Sequence, residues 1–136
     1  MKRAAAIAQA SEFIDQKPEG YAAPVAQGGT NLSGGQKQRL AMARALVRNA
    51  EIYVFDDSFS ALDFATDSRL RAALKTETAG ATVFIVSQRI GTVMNADRIV
   101  VLDNGRVAGI GTHDELVRTC EVYREIAESQ ASLEVA

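Results

Sequence analysis

Ile52-Tyr53-Val54-Phe55-Asp56-Asp57 runs four β-branched or aromatic residues together and then places two carboxylates side by side. A strand with one wet face alternates apolar and polar residues. A run without alternation is how a parallel strand covered on both faces reads. Val83-Phe84-Ile85-Val86 repeats the pattern. Two parallel strands need a long connection, and residues 63–76, with leucines at 70 and 74, read as the crossover helix of a β-α-β unit. The expectation is an α/β fold with a mainly parallel sheet.

Upstream of this unit, residues 3–14 read as an alanine-rich helix and 17–32 as an irregular segment holding both prolines, Pro18 and Pro24. A further helix begins near Ser33, with Leu40, Ala43, Leu46 and Val47 on one face and Lys37, Arg44 and Arg48 elsewhere. Downstream, 98–102 reads as a strand. Asp103-Asn104-Gly105 then supplies the Asn-Gly pair of a tight hairpin into 106–110, forming an antiparallel edge to the sheet. Thr112-His113-Asp114-Glu115 fits a capping box, which gives His113, the single histidine, a structural explanation in place of a metal or catalytic one.

Composition bounds the function classes. At 136 residues, 47% hydrophobic and 24% charged, the chain can build one core, burying roughly two-thirds of its unfolded surface. A net charge of -2 gives no broad cationic field for nucleic acid or anionic lipid. Cys120 is the only cysteine, so an internal disulfide is excluded and a reducing, cytosolic setting is the default. No apolar run approaches the roughly 18 residues of a membrane span, and the N-terminus does not read as a signal peptide.

Two stretches carry chemistry. Leu32-Ser33-Gly34-Gly35-Gln36 places two glycines behind a serine at a helix start, where unsatisfied N–H groups and a partial positive charge suit a phosphate. A plain serine N-cap after a flexible turn is the competing reading. Asp56 ends a buried strand where open α/β sheets place their ligands, and it can hold hydrated magnesium beside phosphates. Asp57 can orient a water for attack, although paired aspartates also serve simply as turn formers. No lysine follows a glycine anywhere, so the phosphate-cradling G-x-x-x-x-G-K-[ST] loop is absent.

Taken in order, Leu32 to Gln36, Ile52 to Asp57, Ser60-Ala61-Leu62-Asp63 and Ser87-Gln88-Arg89 resemble the ATP-binding domain of ABC transporters. Ser87-Gln88-Arg89-Ile90 and the run 96–116 look like the exporter branch. The resemblance implies a partial P-loop NTPase (RecA-like) core. Residues 1–48 would be the end of the helical subdomain with the signature motif. Residues 49–136 would be the C-terminal part of the core, with Walker B, D-loop, switch loop and terminal helices. The Walker A half and the membrane-spanning domain are expected upstream of Met1. Without the strand that feeds Walker A, the sheet is expected to have a central gap and the chain alone to bind ATP poorly.

ABC domains dimerise head to tail around two nucleotides, so the resemblance assigns Leu32, Ser33, Gly34, Gly35 and Gln36 to the ATP of a partner's site. Asp56 is assigned to Mg2+ of the chain's own site, and Ala61, Leu62 and Asp63 to the D-loop that communicates across the dimer. Residues 25–29 take the place of the loop that touches the membrane domains. Two positions depart from the pattern: the usual glutamate after Walker B is Asp57, and the usual switch histidine is Gln88. Losing a methylene withdraws the carboxylate by roughly 1 Å, enough to cost about a hundredfold in rate. Glutamine cannot take the positive charge of imidazolium. The expectation is the degenerate-site subunit of a heterodimeric exporter, at the cytoplasmic face of the membrane through its membrane domain, with no nucleic-acid partner. A non-catalytic dimerisation module is the alternative. A chromosome-maintenance ATPase is disfavoured by the lack of sustained heptads.

Overall fold

The computed structural model describes residues 1–134; Val135 and Ala136, at the end of the segment assigned to 49–136, lie outside the described residues. Two compact units divide the chain, Met1–Val86 and the residues from Ser87 on. The expected division at 48/49 is one of role, whereas this one follows compactness.

In the first unit, β1 (Ile52–Asp56) and β2 (Thr82–Val86) pair in parallel, Ile52 opposite Thr82 and Asp56 opposite Val86. The crossover is α4 (Phe64–Glu77), capped by Asp63, whose Oδ1 accepts the Thr66 N–H at 2.9 Å. Tyr53 and Phe55 of β1 turn inward onto Leu70 and Leu74 of α4, Met42 and Ala43 of α3 (Gly34–Leu46), and Phe59 and Leu62 of the connecting loop. The other face is bare: Ile52, Val54, Phe84 and Val86 are all more than half exposed. This corrects the expectation of strands covered on both faces. A non-alternating run records two apolar faces, and among the described residues of this unit the helices cover only one.

The expected helix over 3–14 is two helices, α1 (Lys2–Ile7) and α2 (Ser11–Asp15). Gln9 adopts φ +55° between them. The Ala10 N–H bonds back to the Ala5 carbonyl at 2.7 Å and the Gln9 N–H to Ala6 at 3.0 Å, the two bonds of a Schellman stop with glutamine in the left-handed position. Arg39 of α3 holds this break, donating from Nη1 to the Gln9 carbonyl at 2.8 Å while its guanidinium lies 4.9 Å from the Phe13 ring centroid. Ala5, Ala10, Phe13 and Ile14 form a small core there, joined by Leu32 and Leu40. The segment 17–32 is irregular as expected, apart from two short 3-10 turns, Gly20–Ala22 and Gln27–Gly29. Of the face expected on α3, Ala43 is buried, Leu40 and Leu46 are half-buried, and Val47 is exposed.

In the second unit, the short helix α5 (Ile90–Val93) precedes β3 (Ile99–Asp103) and β4 (Arg106–Gly111). The strands form an antiparallel hairpin, and Asn104 and Gly105 both take positive φ, +48° and +74°, as the Asn-Gly turn requires. The hairpin is a sheet of its own. β3 and β4 pair only with each other among the described residues: the antiparallel pair forms as read, and the lack of pairing with β1–β2 is what the expected gap in the sheet implies. Ile99 and Val101 pack on Leu116 of α6 (His113–Thr119) and on Cys120 and Tyr123, the latter in α7 (Glu121–Glu134). Gly109 admits this packing, since a Cβ there would lie 3.0 Å from Cys120 Sγ and from Leu116 Cδ2. The capping box at α6 is present, with Thr112 and Glu115 exchanging bonds of 2.9 and 3.4 Å. His113 bonds through Nδ1 to the Tyr123 hydroxyl at 2.9 Å, in keeping with its structural reading.

Among the described residues no helix is long and apolar enough to cross a membrane. Leu70 is fully buried at the centre of the first unit. Leu70→Ala is expected to destabilise that unit by about 2–5 kcal/mol, read as a lower urea midpoint at an unchanged slope.

Candidate functional site

Ser33 has extended φ/ψ and caps α3. Its Oγ accepts the Gln36 N–H at 3.2 Å, and Gln36 Oε1 accepts the Ser33 N–H at 3.0 Å, closing a reciprocal box. The first intrahelical bond begins at Lys37, whose N–H reaches the Ser33 carbonyl at 2.9 Å. Gly34 and Gly35 therefore supply the first-turn amides that a helix start does not satisfy internally, and both lack a Cβ above them. Leu32 does something else. It turns into the small helical core beside Phe13 and Ile14, so its side chain anchors the stretch.

The loop after β1 lies directly against this helix start. Asp56 ends the strand with an exposed side chain, and the Ser58 hydroxyl donates to its carbonyl. Asp57 follows at φ +46°, a left-handed conformation that aspartate tolerates better than most residues. Its Oδ2 and its carbonyl oxygen each lie 3.0 Å from Ser60 Oγ, whose single proton the two share. Leu62 is buried in the main core. Asp63 is committed to capping α4, and bonds from the Thr66 backbone and hydroxyl hold its carboxyl below the ordinary value of 3.8. Of the stretch assigned to the D-loop, only Ala61 is free of a core or capping role.

The two stretches meet at Gly35. A Cβ built there would fall 2.9 Å from the Ala61 carbonyl oxygen, whereas one at Gly34 would meet the Ala61 Cβ at an ordinary 3.4 Å. One turn further on, Gln38 bridges to the same loop. Its Nε2 donates to the Asp57 carbonyl and to Ser60 Oγ, both at 3.0 Å, and its Oε1 accepts the Ala61 N–H at 3.0 Å. Sequence reading passed over this residue. Its only sequence signal is the spacing of three from Gly35, which puts both on one side of α3.

Gln88 belongs to the second unit. Its side chain is exposed, and its carbonyl accepts from Gln130 Nε2 at 2.6 Å, while Gln130 Oε1 accepts the Ile90 N–H at 2.8 Å. A glutamine from α7 thus fixes the backbone at both sides of Arg89. Ser87 Oγ accepts the Arg89 N–H at 3.1 Å, closing a local turn.

No group of three or more His, Cys, Asp or Glu among the described residues could hold a metal by itself. The exposed carboxylate of Asp56, at the carboxyl end of a parallel strand, fits Mg2+ in the way that ion is usually held, by one or two carboxylates plus phosphates and water. Two clefts of the first unit, of about 270 and 300 Å³, lie around α1, α2 and α3, and Leu32 is the one residue of the assigned site lining either.

The geometry separates the two glycines. Gly35→Ala is expected to push the Ala61 carbonyl aside and cost about 1–3 kcal/mol, against the usual helical gain of alanine over glycine. Gly34→Ala should leave thermal stability level or slightly raised. Melting curves of the two variants check this, and equal effects would mean that the contact with Ala61 is not what demands glycine at position 35.

Comparison with known proteins bears on the same residues. The ABC transporter family model matches residues 2–60. An ABC transporter ATP-binding protein of Mycobacterium bovis is 47% identical over 131 residues, covering 96% of this chain and 22% of the relative. A putative ABC transporter ATP-binding protein of Mycoplasma genitalium is 44% identical over 133 residues, 98% of this chain and 21% of that protein. The chain thus spans about a fifth of the length of these curated relatives. Among solved structures, a bacterial Atm1-family ABC exporter with ATP bound superposes with a TM-score of 0.91 at 39% identity, over 95% of this chain and 23% of that one. On sequence and backbone together, the chain belongs to the ATP-binding family of ABC transporters, on its exporter side.

Proposed function

We propose that this chain contributes to the ATP-binding and ATP-hydrolysing part of an exporter, coupling nucleotide binding and hydrolysis to transport across the membrane. The observation that carries the reading is the start of α3. Ser33, Gly34 and Gly35 form a capped helix N-terminus whose first-turn amides are not used within the helix, packed against the loop that follows Asp56 and Asp57. In a head-to-tail dimer this helix start serves ATP held by a second ATP-binding domain. Ser33 and the two glycines bind its terminal phosphate, and Gln36 holds Ser33 in place. Asp56 serves the chain's own site as a Mg2+ ligand, the ion supplying charge neutralisation at the phosphates when bound. The membrane domains are the other partners, and membrane contact is indirect, at the cytoplasmic face.

The chain's own site is the slower of the two in a heterodimer. Asp57 is one methylene shorter than the family's glutamate and already accepts from Ser60, while Gln88 offers a hydrogen bond in place of a titratable imidazole. Both differences weaken catalysis more than binding.

Mixing the chain with an ABC domain that carries its own Walker A loop tests the first half of this reading. Stimulated ATP hydrolysis is expected, with Ser33→Arg returning the rate to that of the partner alone. Stimulation that survives Ser33→Arg would favour a non-catalytic dimerisation module. For the second half, Asp57→Glu with Gln88→His in the assembled transporter is expected to raise turnover at the chain's own site by about 10- to 100-fold. Site-resolved hydrolysis that does not rise would remove the degenerate-site reading.

A further inference from the structure

The bonds around Gln38 form a continuous chain from α3 to a carboxylate. Gln38 Nε2 donates to Ser60 Oγ at 3.0 Å, and the single Ser60 hydroxyl proton is shared between Asp57 Oδ2 and the Asp57 carbonyl, each at 3.0 Å. The same Nε2 holds the Asp57 carbonyl, and Oε1 holds the Ala61 N–H. The amide orientation is fixed by these backbone partners, since a carbonyl can only accept and an N–H can only donate. Every bond has ordinary length, and donors and acceptors alternate along the chain, the arrangement in which neighbouring bonds polarise one another.

The other end of Gln38 is equally tied. It stands three residues after Gly35, whose missing Cβ leaves the space that the Ala61 carbonyl occupies, and five after Ser33, whose capping box sets the first turn. A displacement of the helix start therefore moves the Gln38 amide. That amide cannot move without drawing on residues 57–61, because Gln38 grips the loop at three points.

We propose that Gln38 is a positioning residue that couples the start of α3 to the Asp57 carboxylate through Ser60. The coupling itself stands on the geometry. Its consequence for catalysis rests on the function proposed above, in which the helix start and Asp57 serve different nucleotides. Gln38 then makes the chain report the occupancy of one ATP site to the carboxylate of the other, within a single subunit. Nothing covalent changes: an amide and a hydroxyl transmit a shift in position and hydrogen-bond strength.

Two measurements test it. In the full chain alone, Ser33→Ala opens the capping box, and the backbone amide NMR signals of Asp57, Ser60 and Ala61 are expected to shift in response. The response should vanish when Gln38→Met is also present, and shrink with Ser60→Ala, a milder change at an exposed hydroxyl that keeps the experiment open if Gln38→Met folds poorly. Exchange of the Ala61 amide is expected to quicken by about tenfold in Gln38→Met and to stay near wild type in Gln38→Glu, which keeps the acceptor. A Ser33→Ala response that fails to reach residues 57–61, or that reaches them unchanged without Gln38, overturns the coupling.

The second measurement uses site-resolved Mg-ATP hydrolysis in the assembled transporter, read at the chain's own site, the one that Asp57 serves. Gln38→Met is expected to lower kcat there about tenfold with KM for ATP within about twofold of wild type. An unchanged kcat at that site, with Asp57→Asn lowering it, overturns the catalytic role. If hydrolysis at that site responds to neither Asp57→Asn nor Gln38→Met while the NMR coupling is present, the proposed function fails and the coupling stands.

Discussion

The approach of the Ala61 carbonyl to Gly35 is the constraint on which the site depends. A helix start can meet a phosphate only if its first turn is held rigidly, and here the rigidity comes from a neighbour of the same unit. The Ala61 oxygen fills the volume of an absent Cβ, 2.9 Å from where that carbon would lie. A Cβ at position 35 would force this backbone carbonyl to shift, and a backbone atom yields less readily than the far end of a flexible side chain. The loop in turn is anchored by Phe59 and Leu62 in the core and ends in the Asp63 cap of α4. The glycine at position 35 is thus required from within the unit.

What was legible in the sequence was local. The capping box at Thr112, the serine cap at Ser33 and the Asn104-Gly105 turn depend on neighbours within a few residues, and each forms as read. The parallel pairing of β1 and β2 was legible because a crossover helix leaves few other solutions. The stop at Gln9 was not, since glutamine carries no left-handed preference and the carbonyl it frees is taken up by Arg39, thirty residues on. Nor was the one-sided cover of the strands. Apolar runs state what a strand could bury, and only packing decides what it does bury.

The residues missed at the site share a chemistry. Gln38 and Gln130 each use one primary amide to hold a loop, donating through Nε2 to a backbone carbonyl and accepting through Oε1 from a backbone N–H. A side-chain amide copies the peptide group, so it can splice into a loop that has no strand to pair with. Glutamine is otherwise an ordinary surface residue of helices, and beyond the spacing of Gln38 from Gly35 the sequence gives no warning of this use. The loops after β1 and β2 carry the residues that the family resemblance assigns to chemistry, and in each unit a helix supplies the amide that shapes the loop.

The serine at position 33 shows why the structural and the functional readings of the helix start do not compete. As an N-cap, its oxygen accepts from Gln36, which leaves the hydroxyl hydrogen available and fixes the direction of the side chain. In the function proposed above, a phosphate at Gly34 and Gly35 would meet two first-turn amides and one hydroxyl oxygen already held in place, so little freedom would remain to be lost on binding. Capping is the preorganisation. Replacing the serine by another good cap, such as aspartate, would preserve the helix and place a negative charge where the ligand is itself negative. Cap preference alone therefore does not choose between serine and aspartate here, whereas the charge of the phosphate proposed as its ligand would.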